Sequence, residues 1–373
     1  MMSNLSSLCT YAKGKVSVDT LSKQNYVSTE NMLPNKGGIV DAGGLPSVQY
    51  VQQYIKGDIL VSNIRPYFKK IWMANEDGGC SNDVLVFRAA HGCDSTFLYY
   101  VLSNDAFFNY ASATSKGTKM PRGDKIAIMQ YEVPCFDHET QLRIGKLLRS
   151  IDARITVNKK INDNLEQQAA TLFSSLYDRS NTEVRYTDLI QILGGGTPKT
   201  GESIYWNGNI AFFTPKDVGV PYTLITEKTI TEEGLLHCNS RLYPVNTVFV
   251  TARGTVGKVG MSGVPMAMNQ SCYALVGKET HQLLVYFYTL KAVDRLKHKA
   301  SGAVFDAITT RDFESEQIMK LSDEDAKAFL CVAESMFQKI LNNSIENLRL
   351  STLRDSLLPK LMSGELDVSA VQL

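Results

Sequence analysis

The sequence lacks most of the features that would announce a function. Its seven cysteines (Cys9, Cys80, Cys93, Cys135, Cys238, Cys272, Cys331) are odd in number and scattered, with no C-x-x-C pair. That argues against a disulfide framework and a zinc site, and for a reducing compartment. The start MMSNLSSLCTYAKGK has no apolar core of signal-peptide length, and no apolar run nears the ~18 residues of a membrane span. A soluble, cytoplasmic chain without membrane contact is expected. Net charge is almost absent: 39 Lys+Arg stand against 38 Asp+Glu, a formal +1, so bulk charge does not advertise a nucleic-acid partner. The five histidines show no metal-ligand spacing, and neither G-x-S-x-G nor an Asn/Asp-Pro-Pro-aromatic methyltransferase motif is present. No catalytic or metal site is therefore expected. LGGGTPKTGESIYW (Leu193 to Trp206) has the glycine spacing of a Walker A loop, with Gly196 and Gly201, but Glu202 stands where the phosphate-binding lysine is required. A carboxylate there repels a nucleotide.

What the chain does have is a copy of itself. At 373 residues, 44% hydrophobic and 21% charged, it has room for two or three ordinary globular domains. DILVSNIR (Asp58 to Arg65) lies over NTVFVTAR (Asn246 to Arg253) at an offset of 188, and CSNDVLVF (Cys80 to Phe87) over MNQSCYAL (Met268 to Leu275) at the same offset. Upstream, YVSTENM (Tyr26 to Met32) meets FFTPKDV (Phe212 to Val218) at 186. Few of these residues are identical; their order and nearly constant offset carry the weight. Both copies read as strands punctuated by Gly, Asn, Asp and Pro. Each then passes into a helical stretch, from Ser95 and from His281, with apolar residues at three and four spacing.

A second repeated element is sharper. Steps of four and three pick out Ile144, Leu148, Ile151, Ile155, Asn158, Asn162, Leu165, Ala169, Leu172 and Leu176, a coiled-coil seam. At an offset of 185 the same pattern returns as Phe329, Ala333, Met336, Ile340, Asn343, Asn347, Leu350, Arg354, Leu357 and Leu361. The two polar seam positions coincide. Asparagine in an apolar seam costs stability but fixes register, because an amide without a partner is penalised. We therefore expect the helices to pair antiparallel within the chain, Asn158 and Asn162 facing Asn343 and Asn347. The alternative is that each helix packs on its own globule with its asparagines in solvent. The expected order is a globule (1–137), a long helix (138–182), a second globule (183–320) and a second long helix (321–373).

At this point the residues resemble a known family, the specificity (S) subunits of type I restriction-modification systems. GGGTPKTGESIYWNGNIAFFTPKDV (Gly194 to Val218) is similar to the opening of that family's target-recognition domains, and LRDSLLPKLMSGEL (Leu353 to Leu366) to the close of its second conserved helix. The first globule matches by layout, with YAKGKVSVDTL (Tyr11 to Leu21) in place of the Gly-Thr-Pro core. The resemblance implies two mixed α/β (α+β) target-recognition domains in tandem, separated by two long helices forming an intramolecular antiparallel coiled coil. It further implies a non-catalytic subunit that reads one half of an asymmetric bipartite double-stranded DNA site with each domain. The helices would dock two modification (methyltransferase) subunits and, in some complexes, restriction subunits. No cofactor is implied for this chain; S-adenosylmethionine and ATP belong to the partners. The competing class is a protein- or RNA-binding scaffold with two related globules.

DNA contact needs Arg and Lys for phosphates and guanine edges, and Asn and Gln for adenine. IRPYFKK supplies Arg65, Lys69 and Lys70 with Tyr67 and Phe68 interleaved; ARGTVGK supplies Arg253 and Lys258 at the matching place, where Gly254 and Gly257 allow close backbone approach. SKGTKMPRGDK (Ser115 to Lys125) carries Lys116, Lys119 and Arg122 without a strand or helix pattern. Its counterpart LKHKASGAVFDAITTRD (Leu296 to Asp312) offers Lys297, Lys299 and Arg311. A basic loop after a helix in both copies suits a phosphate grip, although such loops are commonly just solvated. Asn82 lies over Gln270, and Ser81 over Asn269, at a turn whose side chains either read bases or tie the turn to its own backbone. Lys216 sits in the FTPKD segment. GGGTPKTG is either a rigid domain-opening turn or a segment whose Thr197, Lys199 and Thr200 touch phosphate.

Overall fold

The computed structural model describes residues 2–219, 221–299 and 307–368. The chain divides into two compact units, Met1–Arg154 with Arg349–Leu373, and Ile155–Leu348. Two long helices contribute to both, His138–Asp178 and Asp323–Ser363. Each begins on a side-chain cap: Asp137 Oδ1 accepts from Thr140 N at 2.7 Å, and Ser322 Oγ from Asp325 N at 3.1 Å. The second stops at Gly364, whose φ of +76° is the left-handed conformation that closes helices.

In the first unit one four-stranded sheet has the order Cys9–Tyr11, Val84–Ala89, Ile59–Ser62, Ile71–Met73, and a second the order Lys15–Ser17, Tyr50–Tyr54, Gly78–Cys80, Tyr26–Val27. The second unit has a five-stranded sheet ordered Ile190–Gly194, Cys272–Gly277, Val248–Thr251, Val259–Ser262, Tyr222–Thr223, beside a three-stranded one of Lys228–Ile230, Trp206–Phe213 and Met266–Met268. Helices cover one side of each core: Ser95–Ser103 and Asp105–Ala113 in the first, broken at the capping residue Asn104, and the unbroken Gln282–Lys299 in the second.

The repeat is visible in hydrogen bonds. Val27 pairs parallel with Cys80, and Phe213 with Met268, which are offsets of 186 and 188. The turn that follows is built identically: Ser28 N donates to Asn31 Oδ1 at 2.6 Å, and Thr214 N to Asp217 Oδ2 at 2.8 Å. YVSTENM and FFTPKDV are thus one turn made twice, with Asn in one copy and Asp in the other. Both side chains serve, because the turn needs an acceptor oxygen.

Much of the seam of the long helices is buried where the four-three spacing says, but Phe173, Phe337 and Leu358 are buried where the spacing names Leu172, Met336 and Leu357, which are only partly buried. In the first unit Ile144, Leu148, Leu358 and Leu361 join the globule's core. There Arg354 Nη1 donates to Asp152 Oδ1 at 2.7 Å and the Tyr100 hydroxyl to Asp152 Oδ2 at 2.6 Å. In the second unit Phe173 stacks on Phe287 at 4.9 Å and meets Phe329 edge-on at 5.5 Å, so both helices bury aromatics against the globule's own helix. The asparagines are not in solvent. Asn158 and Asn343 are each 1% exposed; Asn158 Nδ2 donates to Asn347 Oδ1 at 3.0 Å, and Asn343 Nδ2 to Asn162 Oδ1 at 2.8 Å. Pairs 158 with 347 and 162 with 343 run in opposite directions, so the helices are antiparallel.

Asn343→Leu strands the Asn162 carbonyl in the seam and is expected to cost about 1–3 kcal/mol. Adding Asn162→Leu to it removes the orphan and recovers most of that loss. Urea unfolding of the two single variants and the double variant, followed by circular dichroism, tests the coupling; additive losses would show that the amides do not act as a pair.

Candidate nucleic-acid interface

The strand Ile59–Ser62 leaves its sheet at Asn63 and turns through a short 3-10 segment, Pro66–Phe68. Arg65 and Lys69 flank the segment with φ of 50° and 52°. Left-handed backbone costs a residue with a side chain about 1 kcal/mol or more, and glycine almost nothing. The basic loop returns to this turn: Gly123 N donates to Asn63 O at 3.1 Å, and Arg65 N to Pro121 O at 2.8 Å. Lys116 and Arg122 pair their backbones across the loop, which brings Arg65, Lys119 and Arg122 to one place beside the Ser81–Asp83 turn.

Most cations here already hold an acid. Lys69 and Lys36 both reach Asp105 at 2.9 Å. Burial raises the Asp105 carboxyl, but the two ammonium groups outweigh it and leave the group below the ordinary carboxylate range. Arg122 meets Asp83 at 3.0 Å, and Lys116 meets Asp124 at 2.5 Å. Lys70 Nζ donates to Thr29 O at 2.6 Å and lies 5.9 Å from the Phe68 ring. Lys119 and Asn82 are exposed. Two buried polar atoms of the turn, Asn63 Oδ1 and Arg65 Nε, have no partner among the described residues. Tyr67 and Phe68, 52% and 39% exposed, lean on each other at 4.8 Å.

The second unit builds the same turn with different side chains. Thr251 N donates to Lys258 O as Ser62 N does to Lys70 O, and Ile308 N to Ala252 O as Gly123 N does to Asn63 O. Ala252 therefore stands where Asn63 stands, an offset of 189. This corrects the alignment of the two arginines: Arg253 is the counterpart of Ile64, and Gly254 that of Arg65. A one-residue slip turns a side chain to the opposite face, so Arg65 and Arg253 are not equivalent positions. Backbone conformation agrees, since Gly254 and Gly257 hold φ of 82° and 73° where Arg65 and Lys69 hold theirs. Lys70 and Lys258 do correspond.

Arg253 lines a groove of about 470 Å³ with Lys216, Lys228, Glu227, Thr255 and Asn269. Lys216 lies 3.6 Å from Glu227, and Lys228 sits 5.5 Å over the Trp206 ring. Lys258 is exposed at the same turn, and the aliphatic stem of Lys297 packs over it: a Cβ at Gly257 would come within 2.6 Å of Lys297 Cε. Lys299 is elsewhere engaged, since it and Arg295 clamp the fully buried Glu316 at 2.5 and 2.8 Å. Its charge is used inside the fold. Arg311 lies exposed on the short helix Thr310–Ser315; residues 300–306 of that loop fall outside the described residues. Sequence reading passed over Lys36, Asn63, Met120 and Lys228, which share these places. Their signal was available only through partners distant in sequence.

The glycine run has a steric explanation. A Cβ on Gly195 would lie 2.2 Å from Asn269 O, and one on Gly196 2.6 Å from Asn239 N, whereas Gly194 faces open space. The Thr197 hydroxyl donates to Gln270 Oε1, and Asn269 Oδ1 accepts from Ser271 N at 3.0 Å. So Asn269 ties its own turn and the opening loop holds Gln270, while Lys199 stays exposed. Gly195→Ala and Gly196→Ala are expected to destabilise the full chain by about 1–3 kcal/mol or more, the cost of overpacking a close backbone contact, with Gly194→Ala near neutral. Thermal melting of the three variants checks this; equal melting points would remove the steric account.

Together these features define a class: a chain that builds the same turn twice, on two related globules, each followed in sequence by one of two long helices. Residues 1–167 and 179–321 match the family model described as type I restriction modification DNA specificity domain, and the chain belongs to that family. It is 25% identical to the type I restriction enzyme HindI specificity subunit of Haemophilus influenzae, over 91% of this chain and 94% of that one. Over 42% of this chain and 37% of the relative it is 28% identical to the MjaIX specificity subunit of Methanocaldococcus jannaschii. The fold is shared with the S subunit of a type I restriction-modification system from M. genitalium, at a TM-score of 0.64 and 16% identity, covering 97% and 96% of the two chains. Among the described residues no helix is long and apolar enough to cross a membrane, and no group of three or more His, Cys, Asp or Glu is placed to hold a metal ion.

Proposed function

We propose that this chain is the sequence-specificity subunit of a type I restriction-modification complex, without catalysis of its own, acting in the cytoplasm. Each globule reads one half of an asymmetric, bipartite duplex site. The helix pair docks modification subunits, two in number by the internal repeat, and restriction subunits in complexes that carry them. S-adenosylmethionine and ATP are used by those partners and not by this chain. The observation that best supports the reading is the recognition turn itself. The same backbone hydrogen bonds occur twice, among them one from the returning chain at Gly123 and at Ile308, while the side chains differ: Asn63, Arg65 and Arg122 in one, Ala252, Gly254 and Ala307 in the other. A scaffold kept constant under divergent side chains is what two readers of different sequences require.

Deleting the gene is expected to remove methylation at one gapped, asymmetric motif. A methylome unchanged by the deletion would count against the reading. In the assembled complex, Lys119→Ala and Arg122→Ala are expected to weaken binding about equally across sequences. Each should lower the salt slope by about one phosphate's worth. Binding indifferent to salt would favour the protein- or RNA-binding scaffold instead.

A further inference from the structure

The two recognition turns differ by one residue, and the extra residue makes an aromatic tip. Between the left-handed pair Arg65 and Lys69 lie Pro66, Tyr67 and Phe68; between Gly254 and Gly257 lie Thr255 and Val256. The first turn keeps long cationic side chains in a conformation that glycine adopts freely, leaves Arg65 Nε and Asn63 Oδ1 buried without partners among the described residues, and exposes two rings. Strained backbone and unmet polar groups concentrated in one turn point to function there. Met120, 51% exposed on the returning loop, adds apolar surface, and Lys119 and Arg122 stand on either side of it in sequence. An apolar projection among cations matches one occupant by charge: duplex DNA, whose phosphates meet the cations while its stacked bases offer an apolar step.

We propose that Tyr67 and Phe68 form a wedge that unstacks a base step in the half-site read by the first globule, and that the second globule, with Thr255 and Val256 in that place, reads its half-site without one. This inference rests on the DNA-reading function proposed above. Phosphate contacts by Arg65, Lys119 and Arg122 would hold the duplex against the tip, and the sequence preference would come from the flexibility of the step being opened.

The test uses the full chain assembled with its modification subunits. Its preferred duplex is first selected from a pool with a randomised centre. 2-Aminopurine is then placed at each position of that duplex in turn, and its fluorescence reports unstacking. Apart from the positions that the modification subunits flip out for methylation, a several-fold rise is expected at a single further step in one half-site only, retained by Tyr67→Phe and lost in the double variant Tyr67→Ala, Phe68→Ala. Tight, salt-dependent binding with no rise at any position would overturn the wedge and leave the DNA-reading function intact. A rise at that further step that survives the double alanine variant would also overturn it. Failure to enrich any duplex from the pool would defeat both readings. The rings are at the surface, so unchanged thermal melting of the variants shows that the fold is not the cause.

Discussion

Four asparagine amides set the register on which the helix pair depends. Apolar side chains alone tolerate sliding: Ile, Leu and Ala recur every three or four residues, and a shift by one heptad presents leucine to leucine again. Amides do not tolerate it. A slide would move Asn158 from Asn347, and Asn162 from Asn343, leaving buried donors without acceptors at about 1–3 kcal/mol apiece. Once that register holds, the remaining polar contacts of the helices fall into place within each unit. In the first, Arg354 finds Asp152, which also takes the Tyr100 hydroxyl of the globule. In the second, Glu166 accepts from the Tyr286 hydroxyl at 3.3 Å. Each unit thus ties a helix position to its own globule through a tyrosine and a carboxylate.

Much of this was legible because it is written locally. The four-three spacing marks one face of a helix, and the burial of Leu148, Ile155, Ala333 and Ile340 follows it, while near the globules the buried position moves one residue on, to Phe173, Phe337 and Leu358. The offsets of 186 and 188 survive as real strand pairings because Val27, Cys80, Phe213 and Met268 are all buried, and a one-residue slip would turn them to the opposite face. The arginine alignment failed for a definite reason. IRPYFKK and ARGTVGK have equal length and share an arginine, so matching letters hid an extra residue in one tip and a compensating shift before it. Hydrogen-bond partners expose the shift, since Asn63 N reaches Asp83 O where Ala252 N reaches Ser271 O. Equally hidden were contacts made across long stretches of chain: Lys36 and Lys69 on Asp105, Lys299 on Glu316, and the glycine run against Asn239 and Asn269. No local pattern encodes which distant carboxylate or carbonyl a residue will meet.

The near-zero net charge, which by itself advertises no nucleic-acid partner, becomes intelligible from the same contacts. The cations of the first recognition turn are balanced on the spot by Asp83, Asp105 and Asp124, and Lys216 of the second by Glu227. Surface ion pairs of this kind contribute little to the stability of the fold, so on the DNA-reading function proposed above a phosphate would displace the carboxylate at small cost. The displaced acid stays nearby and offsets part of the attraction. On the same reading, indiscriminate binding to any stretch of duplex would be weak, because it draws on the phosphate term alone. A matching site adds base-edge contacts and a compliant step on top of that reduced background, and discrimination is the ratio of the two. For a protein whose task is to choose a sequence, balanced charge at the reading surface raises selectivity by lowering the affinity for everything else.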